Sequence, residues 1–283
     1  MGSACSSGAL VPTMGASPDE GPTWGATVAR WSTATDRGSQ VAEMPTLTMD
    51  ADTASRGPSN WSKIFPKAAG EKQSPIDIVQ KNVQSDPFLA ENPLRWNYKG
   101  LRCTNLLNTG CGWRADVTAS GPIVISSPVF VFVADISGGP LHHNYQMVQF
   151  HSHWGTCSKM GSEHTVDGEH YAGELHLVHY NLDMYSRASE AACSDKGLSV
   201  IGVFLKEGKP HEELQKITDS MKNVVYKGNK CSIDQDIDIG SLIPSKQNSS
   251  YWTYEGSLTT PPCYESVTWI VFKEPIEVSQ EQV

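Results

Sequence analysis

The sequence has no long hydrophobic run, no excess of positive charge and no closely spaced cysteine pair. Its best apolar stretch, residues 128–134, has the length of a strand, whereas a membrane-spanning helix needs about 18 apolar residues in succession. Asp and Glu number 31 against 22 Lys and Arg, and the resulting net charge of −9 is unsuited to binding nucleic-acid phosphates. These absences predict a protein with no transmembrane span and no nucleic-acid partner.

The cysteines and the first residues bear on the cellular compartment. Seven cysteines cannot all pair within one chain, and none lies in a C-x-x-C motif. The start lacks the basic and apolar regions of a secretory signal. Both features favour reduced thiols and predict a cytoplasmic protein. The alternative is membrane anchoring by acylation, because the first six residues fit the N-myristoylation pattern at Gly2, with Cys5 as a second acylation site.

Composition divides the chain near residue 57. Residues 1–56 are rich in Ser, Thr, Ala, Gly and Pro and contain no Lys, which predicts a flexible N-terminal tail. From 57 to 283, short strand-like runs alternate with turn residues, and one amphipathic helix is predicted over 211–221. The predicted strands are 123–126, 129–133, 145–154, 171–181, 199–206 and 266–273.

Three histidines have a spacing that suits a metal site. His151 and His153 are two residues apart, so both side chains point to the same face of a strand. Glu174 and His176 share a face of a second predicted strand, and a hairpin-like connection could place the two strands side by side. Three neutral imidazoles suit zinc and leave its fourth tetrahedral position for water, as in catalytic sites. The helical H-E-x-x-H motif is absent, which excludes that class of metalloprotease.

Residues two positions before the ligands are candidates to orient them. Gln149 precedes His151 and Glu174 precedes His176, so each could accept the second N–H of its histidine. A solvated glutamate on a strand surface is the alternative for Glu174. The remaining histidines are by default ordinary core or surface residues: His142, His143, His164, His170, His179 and His211.

A third segment, 256–262, reads Gly-Ser-Leu-Thr-Thr-Pro-Pro. On its own it is a loop that ends at prolines. Close to a metal-activated hydroxide, a Thr hydroxyl could accept the hydroxide's proton in a hydrogen bond if its own proton went to a carboxylate such as Glu163. That relay would direct a lone pair of the hydroxide towards a substrate.

Together these motifs resemble those of the α-class carbonic anhydrases. The resemblance covers 57–283, some four-fifths of the chain. It implies a mainly β (α+β) fold, in which short surface helices surround a large, twisted, mostly antiparallel sheet with a conical active-site cleft. The segments that carry the resemblance are 73–78, 149–155, 161–167, 174–178, 257–262 and 267–271.

The resemblance also implies an activity, which is the zinc-dependent, reversible hydration of CO2 to bicarbonate and a proton. By family match, His151, His153 and His176 bind Zn2+, and Gln149 and Glu174 orient them. Inhibition by sulfonamides and anions, a monomeric state and a part in pH regulation are expected as well. The remaining matched residues are Thr259 and Glu163 for the hydroxide relay, Thr260 for substrate and bicarbonate, and Val178, Val200, Leu258, Val267 and Trp269 for an apolar wall that holds CO2.

The chain departs from the family at the residue that exports the proton. Fast members carry a cleft histidine where this chain has Cys111, and Arg114 follows nearby. A thiol with an ordinary pKa of about 8.5 is a poorer relay at neutral pH than an imidazole. We therefore expect catalysis in which proton transfer limits turnover.

Two further departures concern a disulfide and the C-terminal region. Cys263 matches one half of a disulfide of extracellular members, but the other half aligns with Ala68, so that bond cannot form. Family members continue past the position of Val283 with a segment that orients the ligand matching His153, and losing such a contact weakens metal binding about 10–100-fold. The sequence thus predicts a C-terminally truncated domain, and it leaves open an inactive fragment or a non-catalytic binding module. Hydrolysis of activated esters would be a side activity of the same hydroxide.

Overall fold

The computed structural model describes residues 58–119, 135–233 and 235–283. The predicted tail, its acylation sites and the predicted strands 123–126 and 129–133 lie outside the described residues. The described strands, in chain order, are β1 (Asp77–Ile78), β2 (Arg95–Trp96), β3 (Leu101–Asn108), β4 (Trp113–Ala119), β5 (Ile136–Gly138), β6 (Leu141–Trp154), β7 (Thr165–Val166), β8 (Gly173–Asn181), β9 (Leu198–Glu207), β10 (Lys230–Ser232), β11 (Tyr251–Gly256), β12 (Val267–Phe272) and β13 (Ile276–Val278). The α-helices are α1 (Pro87–Glu91), α2 (Ala188–Ala191) and α3 (Glu212–Met221).

Eleven of these strands form one large sheet. Its main path runs β10-β3-β4-β6-β8-β9-β12-β11, and β2, β5 and β13 attach beside it. The described neighbours pair antiparallel, except that β12 and β13 run parallel to β9. This confirms the predicted large, mostly antiparallel sheet with few, short helices.

One face of the sheet packs into the main hydrophobic core. Alternate residues of the central strands, such as Phe150, Leu177 and Ile201, are fully buried there. Helix α3 covers part of this core with Leu214 and Ile217, as its apolar spacing predicts. None of the helices in the described ranges is both long and apolar enough to cross a membrane.

The opposite face carries a second apolar cluster next to the histidines. Val178 of β8 lies opposite Val200 of β9, which in turn lies opposite Trp269 of β12. Because side chains alternate along a strand, the sequence neighbours Leu177, Ile201 and Ile270 point the other way and belong to the main core. The central strands are therefore buried on both faces, and the second face is the one that positions the candidate site.

Candidate metal centre

Strands β6 and β8 bring the three predicted ligands together. Their antiparallel register sets His151 directly opposite His176, and His153 follows on the same face of β6. The ring centroids are 5.1 Å apart for His151–His153, 5.2 Å for His151–His176 and 4.6 Å for His153–His176. One nitrogen from each ring can be chosen so that all three lie within 4.8 Å of one another. This arrangement can hold one metal ion.

Hydrogen bonds decide which nitrogens face the centre. His151 donates its Nδ1–H to Gln149 Oε1 over 2.8 Å, and His176 donates its Nε2–H to Glu174 Oε1 over 2.9 Å. Each bond fixes one tautomer and leaves the lone pair of the other nitrogen for a metal. His153 Nε2 is buried and has no hydrogen-bond partner among the described residues. An unpaired buried nitrogen is costly unless something binds it, so the set fits a zinc site with three protein ligands and an open fourth position.

The electrostatics favour neutral imidazoles. Burial lowers the pKa of His151 and of His153 well below the usual value, and the neighbouring histidines lower both further. Metal ligands must be deprotonated, so both histidines are ready to bind a cation at neutral pH.

Glu163 lies directly beside the ligand rings. Its Oε1 is 3.4 Å from His153 Nδ1, and its Oε2 is 3.9 Å from His176 Nδ1. Burial, with the charge of Glu174, raises the pKa of Glu163 to about 8, although a hydrogen bond with the Thr259 side chain lowers it. Thr259 is half-buried, and the adjacent Thr260 is exposed on the same loop. The two predicted members of the relay are thus in contact with each other.

A histidine that sequence reasoning treated as ordinary supports this centre. His164 is fully buried, donates its backbone N–H to Glu174 Oε2 over 2.8 Å, and places Nδ1 2.6 Å from Glu174 Oε1. Its Nε2 lies 2.6 Å from the hydroxyl of Tyr254, which is 2.9 Å from Ser74 Oγ. Ser74 and Ser257 then exchange two hydrogen bonds, each from a backbone N–H to the other's hydroxyl. We call the six connected residues the buried hydrogen-bond chain, which in order of contact comprises Ser257, Ser74, Tyr254, His164, Glu174 and His176.

The glycine at position 202 leaves room for the Glu174 carboxylate. A Cβ at Gly202, which lies opposite His176 on β9, would be 3.0 Å from Glu174 Oε1. Burial alone would raise the pKa of Glu174, but His164 and His176 hold it well below its usual value through charge and hydrogen bonds. The carboxylate is therefore charged, buried and fixed behind His176.

The predicted apolar wall is also gathered at this centre. Val178, Val200 and Val267 are each 3 % exposed and Trp269 is 2 % exposed, in one cluster against which the partly buried Leu258 packs. The Trp269 ring centroid is 4.9 Å from that of His176, and its Nε1–H donates to the Ser257 carbonyl over 3.1 Å. The wall thus begins next to a candidate ligand.

Cys111 is exposed on the turn between β3 and β4. A Cβ added to its neighbour Gly112 would lie 3.6 Å from Trp154, which ends β6 just after His153. Although the residue as a whole is exposed, desolvation of its sulfur raises the pKa of the thiol, and the charge of Lys227 lowers it. Cys263 is a buried free cysteine.

Comparisons with known proteins agree with this geometry. Residues 56–283 match the family model of the eukaryotic-type carbonic anhydrases. The chain is 41% identical over 227 residues to carbonic anhydrase 7 of Homo sapiens, which covers 80% of this chain and 80% of that protein. It is also 41% identical to carbonic anhydrase 1 of Monodelphis domestica, over 80% of this chain and 81% of that protein, and to the mitochondrial carbonic anhydrase 5B of Mus musculus, over 80% and 67%. The family match and these identities show that the chain belongs to the eukaryotic-type carbonic anhydrases, and its cluster of three histidines agrees with this.

Proposed function

We propose that the chain hydrates CO2 reversibly with one zinc ion held by His151 Nε2, His153 Nε2 and His176 Nδ1. Bound zinc supplies a Lewis acid that makes hydroxide available from water near neutral pH, as the carbonic anhydrases themselves illustrate. The observation that carries the proposal is the unpaired, buried His153 Nε2 between two rings whose other nitrogens are already bonded to Gln149 and Glu174.

Three further sets of residues serve the reaction. The Thr259 hydroxyl donates to Glu163 and is then able to accept a hydrogen bond from the attacking group, which orients a lone pair towards the substrate. Thr260, exposed on the same loop, is proposed to contact substrate and bicarbonate. Val178 and Val200, with Trp269, offer an apolar surface that suits CO2 and does not compete for hydrogen bonds.

We infer that residues 57–283 act as one catalytic domain and that the protein is a cytoplasmic monomer. The odd number of cysteines and their spacing, with no C-x-x-C pair, favour reduced thiols and support the compartment. Light scattering on the purified chain and imaging of a tagged chain, compared with its Gly2→Ala variant, test these points. A dimer, or membrane localisation that the variant abolishes, would contradict them.

Metal content and activity of matched variants test the proposed site. We expect about one zinc per chain, sulfonamide-sensitive CO2 hydration, and loss of both zinc and hydration in His153→Asn. The control is His142→Asn, which removes an exposed histidine of the same strand. If the wild-type chain bound zinc but hydrated no CO2, the protein would instead be a non-catalytic member of its family.

We also propose that proton export limits turnover, because Cys111 occupies the position at which fast members of the family carry a proton-transferring histidine. Its raised thiol pKa makes it a poor acceptor at neutral pH. Cys111→His should raise the maximal rate in weak buffer and leave kcat/KM for CO2 unchanged, whereas Cys193→His, at another exposed cysteine, should do neither. An unchanged maximal rate in Cys111→His would show that another step is limiting.

A further inference from the structure

Strand β4 presents two charged side chains to the metal-bearing face of the sheet. Trp113, Ala115 and Val117 of this strand are buried in the main core. Side chains alternate along a strand, so Arg114 and Asp116 point to the opposite face, where the histidines lie. The arginine on this face of β4 has no role in the function proposed above.

The register between β4 and β6 places Arg114 beside a ligand. Asp116 lies opposite Gln149, and Ala115 lies opposite Phe150. Extending this register by one residue sets Arg114 opposite His151. Burial and the other two histidines are the main causes that lower the pKa of His151, and the charge of Arg114 contributes as well. The positive charge of Arg114 therefore acts on His151, one of the three candidate ligands.

The guanidinium is held in place rather than freely solvated. Arg114 Nε donates to Asp116 Oδ1 over 2.8 Å, and the two side chains are only 12 % and 15 % exposed. A fixed, partly buried guanidinium is less screened than one on a fully exposed side chain and is well shaped for carboxylates and phosphates. A second cation lies beside Cys111, because the stem of Lys227 lies against Gly110 and its charge lowers the pKa of the Cys111 thiol.

We propose that Arg114, with Lys227 beside Cys111, forms a recognition wall for small oxyanions of the carboxylate or phosphate class, separate from the metal position. The inference rests on the proposed function and names which proton acceptors that site favours. A hydrogen phosphate dianion at the wall takes up one proton and leaves as the monoanion. A neutral imidazole becomes a cation beside two other cations, which Coulomb repulsion disfavours.

A pair of sulfonamides that differ only in tail charge tests the wall without relying on turnover. Zinc-loaded protein is titrated calorimetrically with 4-carboxybenzenesulfonamide and with its neutral isostere, 4-carbamoylbenzenesulfonamide. The ratio of the two affinities cancels the shared metal-binding group. We expect the carboxylate to bind about fivefold more tightly than the amide in low salt, as for a fixed charge at partly screened range.

Variants that change the charge in opposite directions give the decisive comparison. Arg114→Gln should abolish the preference for the carboxylate, Arg114→Lys should keep most of it, and Asp116→Asn should increase it by removing the counter-charge. The control is Arg102→Gln, which removes one positive charge from an exposed side chain of the neighbouring strand β3. Circular dichroism confirms that each variant is folded.

The outcomes separate this inference from the proposed function. Sulfonamide binding with no carboxylate preference, or with a preference that Arg114→Gln retains, overturns the oxyanion wall and leaves the zinc site standing. If neither sulfonamide binds, the proposed function fails, and inorganic phosphate titrated against the tryptophan fluorescence of the same proteins decides the wall. Phosphate binding that Arg114→Gln removes supports it, and the absence of such binding overturns it.

Discussion

Glu174→Gln is the substitution for which the structure gives the sharpest expectation. Glu174 is fully buried and accepts three hydrogen bonds, from the His164 backbone N–H and from the rings of His164 and His176. Both ring bonds go to Oε1 and the backbone bond goes to Oε2. A Gln side chain has one oxygen and one NH2, so either orientation sets a donor against a donor.

The better orientation keeps the amide oxygen on the two rings and leaves the His164 backbone N–H facing the NH2. One buried donor without a partner costs about 1–3 kcal/mol, and weaker bonds to a neutral acceptor add to this. We expect unfolding stability to fall by about 2–4 kcal/mol in the metal-free protein. Because His176 also loses its charged acceptor, zinc affinity should fall about 10–100-fold.

Competition with a chromogenic chelator measures the zinc affinity, and urea unfolding of the metal-free protein measures the stability. Glu169→Gln is the matched control, because Glu169 is exposed on the connection that leads from β7 into β8, five residues before Glu174. If Glu174→Gln bound zinc as tightly as the control, Glu174 would not be orienting His176, and the role assigned to it here would be wrong.

Three other substitutions test neighbouring parts of the structure. Gly202→Ala should weaken zinc binding about tenfold, because its Cβ would press on the Glu174 carboxylate, and chelator competition shows this. Val200→Phe should lower kcat/KM for CO2 at least about tenfold with zinc content unchanged, because it overfills the apolar wall; full activity would contradict a CO2 site there. Burial lowers the pKa of His179 to about 3, so this residue is neutral in the folded protein. Its contribution to folding stability is complete above about pH 6.5 and is lost as the pH falls towards 3. Metal-free protein should therefore lose about 2 kcal/mol of stability from this residue between pH 7.5 and 5, and urea unfolding of His179→Gln should show a correspondingly smaller pH dependence.

Local patterns in the sequence predict much of the sheet and the ligand geometry. The predicted strand 145–154 is observed as Leu141–Trp154, and the predicted helix 211–221 as Glu212–Met221. Alternation along a strand suffices to place His151 and His153 on one face, and the hairpin-like connection then brings in His176. Residue roles within the site, such as the relay through Thr259, remain predictions.

Contacts between distant segments are what local patterns miss. From local patterns His164 is an ordinary histidine, because its spacing from other residues marks no function, although it lies within segment 161–167, which carries part of the family resemblance. Its position is fixed by Glu174 and by Tyr254, ninety residues further on. The Arg114–Asp116 pair is similar, because its position beside the metal centre depends on the register between β4 and β6. Such features follow from tertiary packing and not from spacing.

The buried hydrogen-bond chain also has a consequence for how the protein acquires its metal. Ser74 and Ser257 are 183 positions apart, yet both must be in place before Tyr254, His164 and Glu174 hold His176 in one tautomer. In a partly folded chain the three imidazoles would not be held in fixed orientations, and the affinity for zinc would be correspondingly low. Tight metal uptake should therefore come late in refolding, when the ends of the domain have met, so that retention of zinc reports on completion of the native state.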